Sequence, residues 1–110
     1  MNDSAPLGTF EEQVMLAVLR TSDEAYGMSV RRELERVTGR DVAIGAVYAT
    51  LDRLEAKGLV ASSRSGAGAA SRRLFAVTAA GARGLAESRT MRERLWEGVD
   101  LRPLLSLPRA

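Results

Sequence analysis

The chain has 110 residues, 45% of them apolar, which predicts one folded domain with its own core and no room for a separate catalytic or effector domain. It contains no cysteine and no histidine, and this excludes disulfides, thiol nucleophiles, the usual zinc ligands and the commonest general base. Net charge is +2 but uneven: residues 1–39 hold four arginines against seven acids, residues 40–75 six cations against three acids, and residues 76–110 six against four. The longest apolar run, VMLAVL at 14–19, is far shorter than the ~18 residues of a membrane span, and the start MNDSAP lacks the basic residues of a secretion signal. The expectation is a cytoplasmic protein with no membrane association.

Residues 1–8, with Pro6 and Gly8, read as a loose arm. Thr9 is the expected cap of the first helix, with Glu12 completing a capping box three residues on. That helix, Phe10 to Arg20, is apolar almost all round. Val14, Met15, Val18 and Leu19 are therefore expected to give it a second apolar side facing another subunit or another late element of the chain; the alternative is a central core helix in a monomer. Glu24 to Thr38 reads as the second helix, with Gly27, Val30, Leu34 and Val37 on one face and Gly39 as its stop. Most of its outer arginines, Arg31, Arg32 and Arg36, are expected to be solvated and paired with Glu33 and Glu35.

The stretch at 43–60, AIGAVYATLDRLEAKGLV, organises the rest. Ile44, Val47, Tyr48, Leu51 and Leu54 recur at helical spacing and can sink into a core, while Gly45, Ala46, Ala49, Thr50, Arg53 and Lys57 occupy the other face. Small residues at the start and cations at the end let a backbone approach a grooved, anionic surface such as duplex DNA. Gly58 ends this helix in the left-handed region, with Leu59 packing back on the last turn.

Leu59 to Arg64 and Arg72 to Val77 read as two strands of a hairpin around a small-residue tip, SGAGAA, flanked by Arg64, Arg72 and Arg73. A cation-flanked hairpin of this kind is what a nucleic-acid-binding wing looks like in sequence; the alternative is a solvent hairpin with arginines guarding its edge. Thr78 caps the last helix, about Ala79 to Glu97, in which Gly81 and Gly84 each cost about 1 kcal/mol against alanine. Leu85, Met91, Leu95 and Trp96 are its large apolar groups, and Arg89 with Glu93 forms an exposed pair. The tail at 99–110 has apolar residues broken by Pro103 and Pro108.

The predicted class is mainly α with a small β-hairpin (α+β): a winged helix-turn-helix with an added C-terminal helix. Three ordered blocks, YGMSVRRELERVTG at 26–39, GAVYATLDRLEAKGLV at 45–60 and SRRLFAVTAAG at 71–81, resemble the PadR family of bacterial transcriptional regulators. The resemblance covers about residues 10–97. It implies a DNA-binding unit over 9–78 and a dimerisation helix over 79–98. It places Tyr48 and Arg53 on the recognition helix, Arg72 and Arg73 on the wing, and Tyr26 and Gly27 at the helix-turn-helix corner. Ala43 stands where many members have serine, Ala49 where proline is common, and Leu74 where a wing aromatic is common.

The function expected on this basis is a sequence-specific regulator, a repressor acting as a homodimer on a pseudo-palindromic duplex. Its DNA-facing set is Tyr26, Gly45, Ala46, Tyr48, Ala49, Thr50, Arg53, Lys57, Arg64, Arg72 and Arg73, and its dimer set is Val14, Met15, Val18, Leu19, Leu85, Met91, Leu95 and Trp96. Trp96 is also a candidate seat for a small aromatic effector. No metal or cofactor is expected. The alternative is a winged-helix protein interaction module that has lost DNA binding. An enzyme is disfavoured, because the acid pairs Glu11/Glu12 and Asp23/Glu24 lie near helix starts, where dipole compensation explains them.

Overall fold

The computed structural model describes residues 7–66, 68 and 71–106; most of the expected arm, three positions of the hairpin tip and the last four residues of the tail lie outside these. The elements are α1 (Thr9–Thr21), α2 (Gly27–Thr38), α3 (Ile44–Ala56), β1 (Val60–Ser65), β2 (Arg72–Val77), α4 (Ala79–Trp96) and α5 (Arg102–Leu105). β1 and β2 pair antiparallel with Val60 opposite Val77 and Arg64 opposite Arg73. This is the winged helix-turn-helix plan with an added helix, as the order of elements predicted.

Helix α1 is the axis of the core and touches α2, α3 and β2. Its Val14, Met15 and Val18 are buried within the protomer, which corrects their assignment to a dimer surface: the all-round apolar character serves a helix covered on several sides by its own chain. Only Leu16 and Leu19 of that run face outward. The cap is also one residue earlier than expected. Gly8, not Thr9, precedes the first turn, and its N–H donates to Glu11 Oε1 at 3.0 Å. Glu12 is used elsewhere, in an ion pair with Arg92 of α4.

Helix α2 begins at Gly27, three residues later than expected, behind a single 3-10 turn at Ser22–Glu24. The physical cause lies in β2. Phe75 donates its N–H to the Ala25 carbonyl at 2.8 Å, which ties the connection to the sheet and keeps the backbone at 25–26 out of the helix. Val30 and Leu34 are buried as predicted, whereas Val37 is exposed.

Helix α3 closes as read from the sequence. Gly58 has φ +77, its N–H donates to Glu55, and the Leu59 N–H donates to Leu54 at 2.9 Å, the paired bonds of a Schellman stop. Val47, Leu51 and Leu54 of α3 are fully buried.

Thr78 caps α4, its hydroxyl accepting from the Gly81 N–H at 3.0 Å. The two early glycines of α4 are not equivalent. A Cβ on Gly81 would lie 2.1 Å from the Leu59 carbonyl oxygen, while one on Gly84 would meet nothing nearer than Leu7 Cδ1 at 3.9 Å. Gly81→Ala should therefore destabilise by about 1–3 kcal/mol through overpacking, and Gly84→Ala should stabilise by about 0.5–1 kcal/mol through helix propensity. Urea unfolding of the two variants at one pH checks both signs.

Candidate nucleic-acid interface

The outer face of α3 is built as its sequence suggested, with small residues first. Gly45, Ala46 and Ala49 are exposed, and Ala43 stands at the N-cap with no side chain to cap the turn. Thr50 is a correction. It is 2% exposed, on the flank of the Val47–Leu51 stripe, and its hydroxyl accepts from Arg53 Nη2 at 3.1 Å, so it supports Arg53 from below rather than facing outward. Tyr48 is half-buried. A Cβ on Gly27 would lie 2.2 Å from its ring, so the glycine leaves the notch in which that ring sits. Gly27 and Tyr48 together lock the first turn of α2 onto α3.

The two cations at the end of α3 point back to the body. Lys57 Nζ lies 2.8 Å and Arg53 Nε 3.9 Å from Oε2 of Glu11, a nearly buried carboxylate on α1. Both stay about half exposed, Arg53 at 57% and Lys57 at 49%, so the cationic edge expected of them is partly neutralised rather than closed, because a buried carboxylate needs partners. The Lys57 hydrogen bond, joined by the Gly8 N–H, holds the Glu11 carboxyl below its ordinary value of 4.5. A carboxyl depressed in the folded state stabilises the fold above about pH 4.5, and that contribution is lost as the pH falls further. The urea midpoint should therefore fall between about pH 5 and about pH 3, less steeply in Glu11→Gln.

Arg73 is likewise withdrawn from the expected wing set. Its guanidinium reaches Asp52 at 2.9 Å and Glu55 at 2.6 Å on α3, and lies 4.8 Å over the Phe75 ring. Strand alternation explains this. Arg73 and Phe75 share the less exposed face of the strand, and the long arginine side chain reaches α3 from there as a strut between hairpin and helix. The Glu55 bond raises the Arg73 guanidinium above its ordinary value, and Glu55 is lowered by Ser62 and Arg73 in turn.

Arg72 points the other way, onto the Tyr26 ring at 4.3 Å. Arg32 donates from Nη2 to the Tyr26 hydroxyl at 3.1 Å, which lowers the phenol below its ordinary value. Arg64 and Arg40 are exposed, and Arg40 shares a hollow before the first turn of α3 with Ala43 and Ala46. Among the described residues Arg32, Arg40, Arg64 and Arg72 form no ion pair with a carboxylate. Two of these four, Arg32 and Arg40, were missed in the sequence. The signal was stoichiometric: Glu33 and Glu35 serve Arg20, Arg36 and Arg31, which leaves Arg32 without a carboxylate.

Of the expected dimer residues, Leu85 is buried in the protomer's own core and is corrected with the three on α1. Leu19, Met91, Leu95 and Trp96 are exposed, Leu95 at 71% and Trp96 at 57%.

A helix with a small-residue face, a hairpin pinned to it and arginines that pair with no carboxylate among the described residues make up the DNA-binding class of winged helix-turn-helix regulators. Residues 15–87 match the model of the transcriptional regulator PadR-like family, and the chain belongs to that family. It is 38% identical over 73 residues to the transcriptional regulator Rv3488 of Mycobacterium tuberculosis, an alignment covering 66% of this chain and 67% of that one. The fold is similar to a PadR-like transcription factor from Bacteroides fragilis, with a TM-score of 0.72, 24% identity and 82% and 85% of the two chains covered. A PadR family regulator from Eggerthella lenta gives 0.66 at 28% identity, over 86% and 82%. The chain is thus a transcriptional regulator and not an enzyme. Among the described residues no group of acids could hold a metal, and no helix is long and apolar enough to cross a membrane.

Proposed function

We propose that this regulator is a repressor that works in the cytoplasm as a homodimer on a pseudo-palindromic duplex. The observation that carries the reading is the exposed small face of α3, Gly45, Ala46 and Ala49, accompanied by Arg32, Arg40, Arg64 and Arg72, which pair with no carboxylate among the described residues. Small side chains let the helix backbone approach base edges, and free arginines supply phosphate contacts. Arg53, held between Thr50 and Glu11, sits in the carboxy-terminal half of α3 and serves a phosphate rather than a base.

The dimer is built on α4, where Met91, Leu95 and Trp96 stand on a helix exposed over its last turns, supplemented by Leu16 and Leu19 of α1. Trp96 is first of all interface core. A flat aromatic effector stacked on it at the seam is the second use of the same position. It is the chain's one tryptophan, so its emission reports both events.

The alternative, a protein interaction module without DNA binding, draws support from the engagement of Arg53, Lys57 and Arg73 with the protein's own acids. One experiment separates the two. Fluorescence anisotropy with the duplex upstream of the protein's own gene and with a shuffled duplex should give binding to the first that is tighter by a factor of about 1,000 or more. Equal, weak and purely salt-controlled binding to both would overturn the specific regulator.

A further inference from the structure

We propose that Arg32 of α2 and Arg72 of β2, both held against Tyr26, form a seat for one backbone phosphate of a DNA duplex. The inference rests on the DNA-binding reading above, which counts Arg32 and Arg72 among its phosphate contacts, and adds that the two share a single phosphate at Tyr26. Arg72 stacks on the Tyr26 ring at 4.3 Å, while Arg32 bonds the hydroxyl at 3.1 Å with its guanidinium 5.9 Å from the same ring. Two guanidinium groups thus converge on one side chain. Among the described residues neither pairs with a carboxylate, and Asp23 and Glu24, which precede Tyr26 in the chain, pair with neither.

The backbone makes this convergence deliberate. The Phe75 N–H bond to Ala25 brings β2 alongside the α2 entry and sets Arg72, on the strand face opposite Arg73, against Tyr26. Like charges held together without a counter-ion repel each other, and an anion between them removes that cost. Because the Tyr26 hydroxyl accepts from Arg32, its own proton is free to donate, so the seat offers guanidinium and hydroxyl donors to one tetrahedral oxyanion. The seat joins α2 to the hairpin that Arg73 pins on α3, so a phosphate bound there fixes the strand against the recognition helix.

Phosphate contacts are independent of sequence, so the test needs no operator. Binding of a mixed-sequence duplex is measured against KCl for wild type, Arg32→Ala, Arg72→Ala and the double variant, all at exposed positions that leave the core intact. A shared phosphate predicts that each single variant lowers the slope of log K against log salt by less than one unit and that the double variant lowers it by about 0.9, with binding weaker by about eightfold at 0.1 M salt. Tyr26→Phe, which keeps the stack and loses the hydroxyl, should behave like Arg32→Ala. A drop of about 1.8 in the double variant would mean two separate phosphates and would overturn the shared seat, as would no drop at all. Inorganic phosphate at constant ionic strength should compete no better than chloride; strong competition would reassign the seat to a free anion. Wild-type chain that bound no duplex would instead sink the DNA-binding reading itself.

Discussion

Ala49→Glu should reduce binding to the upstream duplex by at least about 100-fold while leaving the unfolding free energy within about 0.5 kcal/mol of wild type. Ala49 is exposed in the middle of α3, one turn beyond Gly45 and Ala46, so a longer side chain disturbs no packing in the free protein. In the complex the same side chain would stand between the helix backbone and the groove. It would bring a carboxylate against the phosphates on either side and lose its hydration without gaining a donor. A penalty of about 3 kcal/mol or more follows, which is the 100-fold. Ala49→Ser keeps the small volume and should change binding little. If Ala49→Glu bound the duplex as well as wild type, α3 would not be the recognition element.

The second large effect is expected at the end of α4. Leu95→Glu combined with Trp96→Glu should convert the dimer to a monomer at micromolar concentration and weaken operator binding far more than non-specific binding. Both side chains are exposed in the protomer, so the folded chain tolerates the charges. The dimer does not. Four carboxylates would enter an apolar seam without partners, each costing several kcal/mol. Operator affinity falls further than non-specific affinity because a pseudo-palindromic site takes both recognition helices of one dimer, whereas phosphates can be contacted by one chain alone. Light scattering with matched binding curves tests both halves; a double variant that stayed dimeric would move the interface elsewhere.

What local spacing encodes was legible: the α3 stripe, its glycine stop, the Thr78 cap, the β2 limits and the Arg89–Glu93 pair all follow from residues within a turn or two of one another. What failed depends on partners distant in the chain. Glu11 meets Lys57 and Arg53, Glu12 meets Arg92, and Arg73 meets Asp52 and Glu55 on α3, so a count of cations on one face overstated its free charge. Side-chain competition explains the missed cap as well, since Glu11 is drawn inward by Lys57 and turns Gly8 into the N-cap. Val14, Met15, Val18 and Leu85 were misplaced for a related reason. An apolar side chain reads the same whether its cover comes from its own chain or another's, and α1 takes its cover from α2, α3, β2 and α4.

The most direct measurement is a hydroxyl-radical footprint of the DNA upstream of the protein's own gene, run with wild type and with the Leu95→Glu/Trp96→Glu variant at equal concentration. Wild type should protect two patches separated by one or two helical turns, about 10 or 21 base pairs centre to centre, and the variant should protect neither. Two protected patches made by a wild-type chain that light scattering shows to be monomeric, or uniform weak protection along every duplex, would contradict a dimeric, sequence-specific regulator.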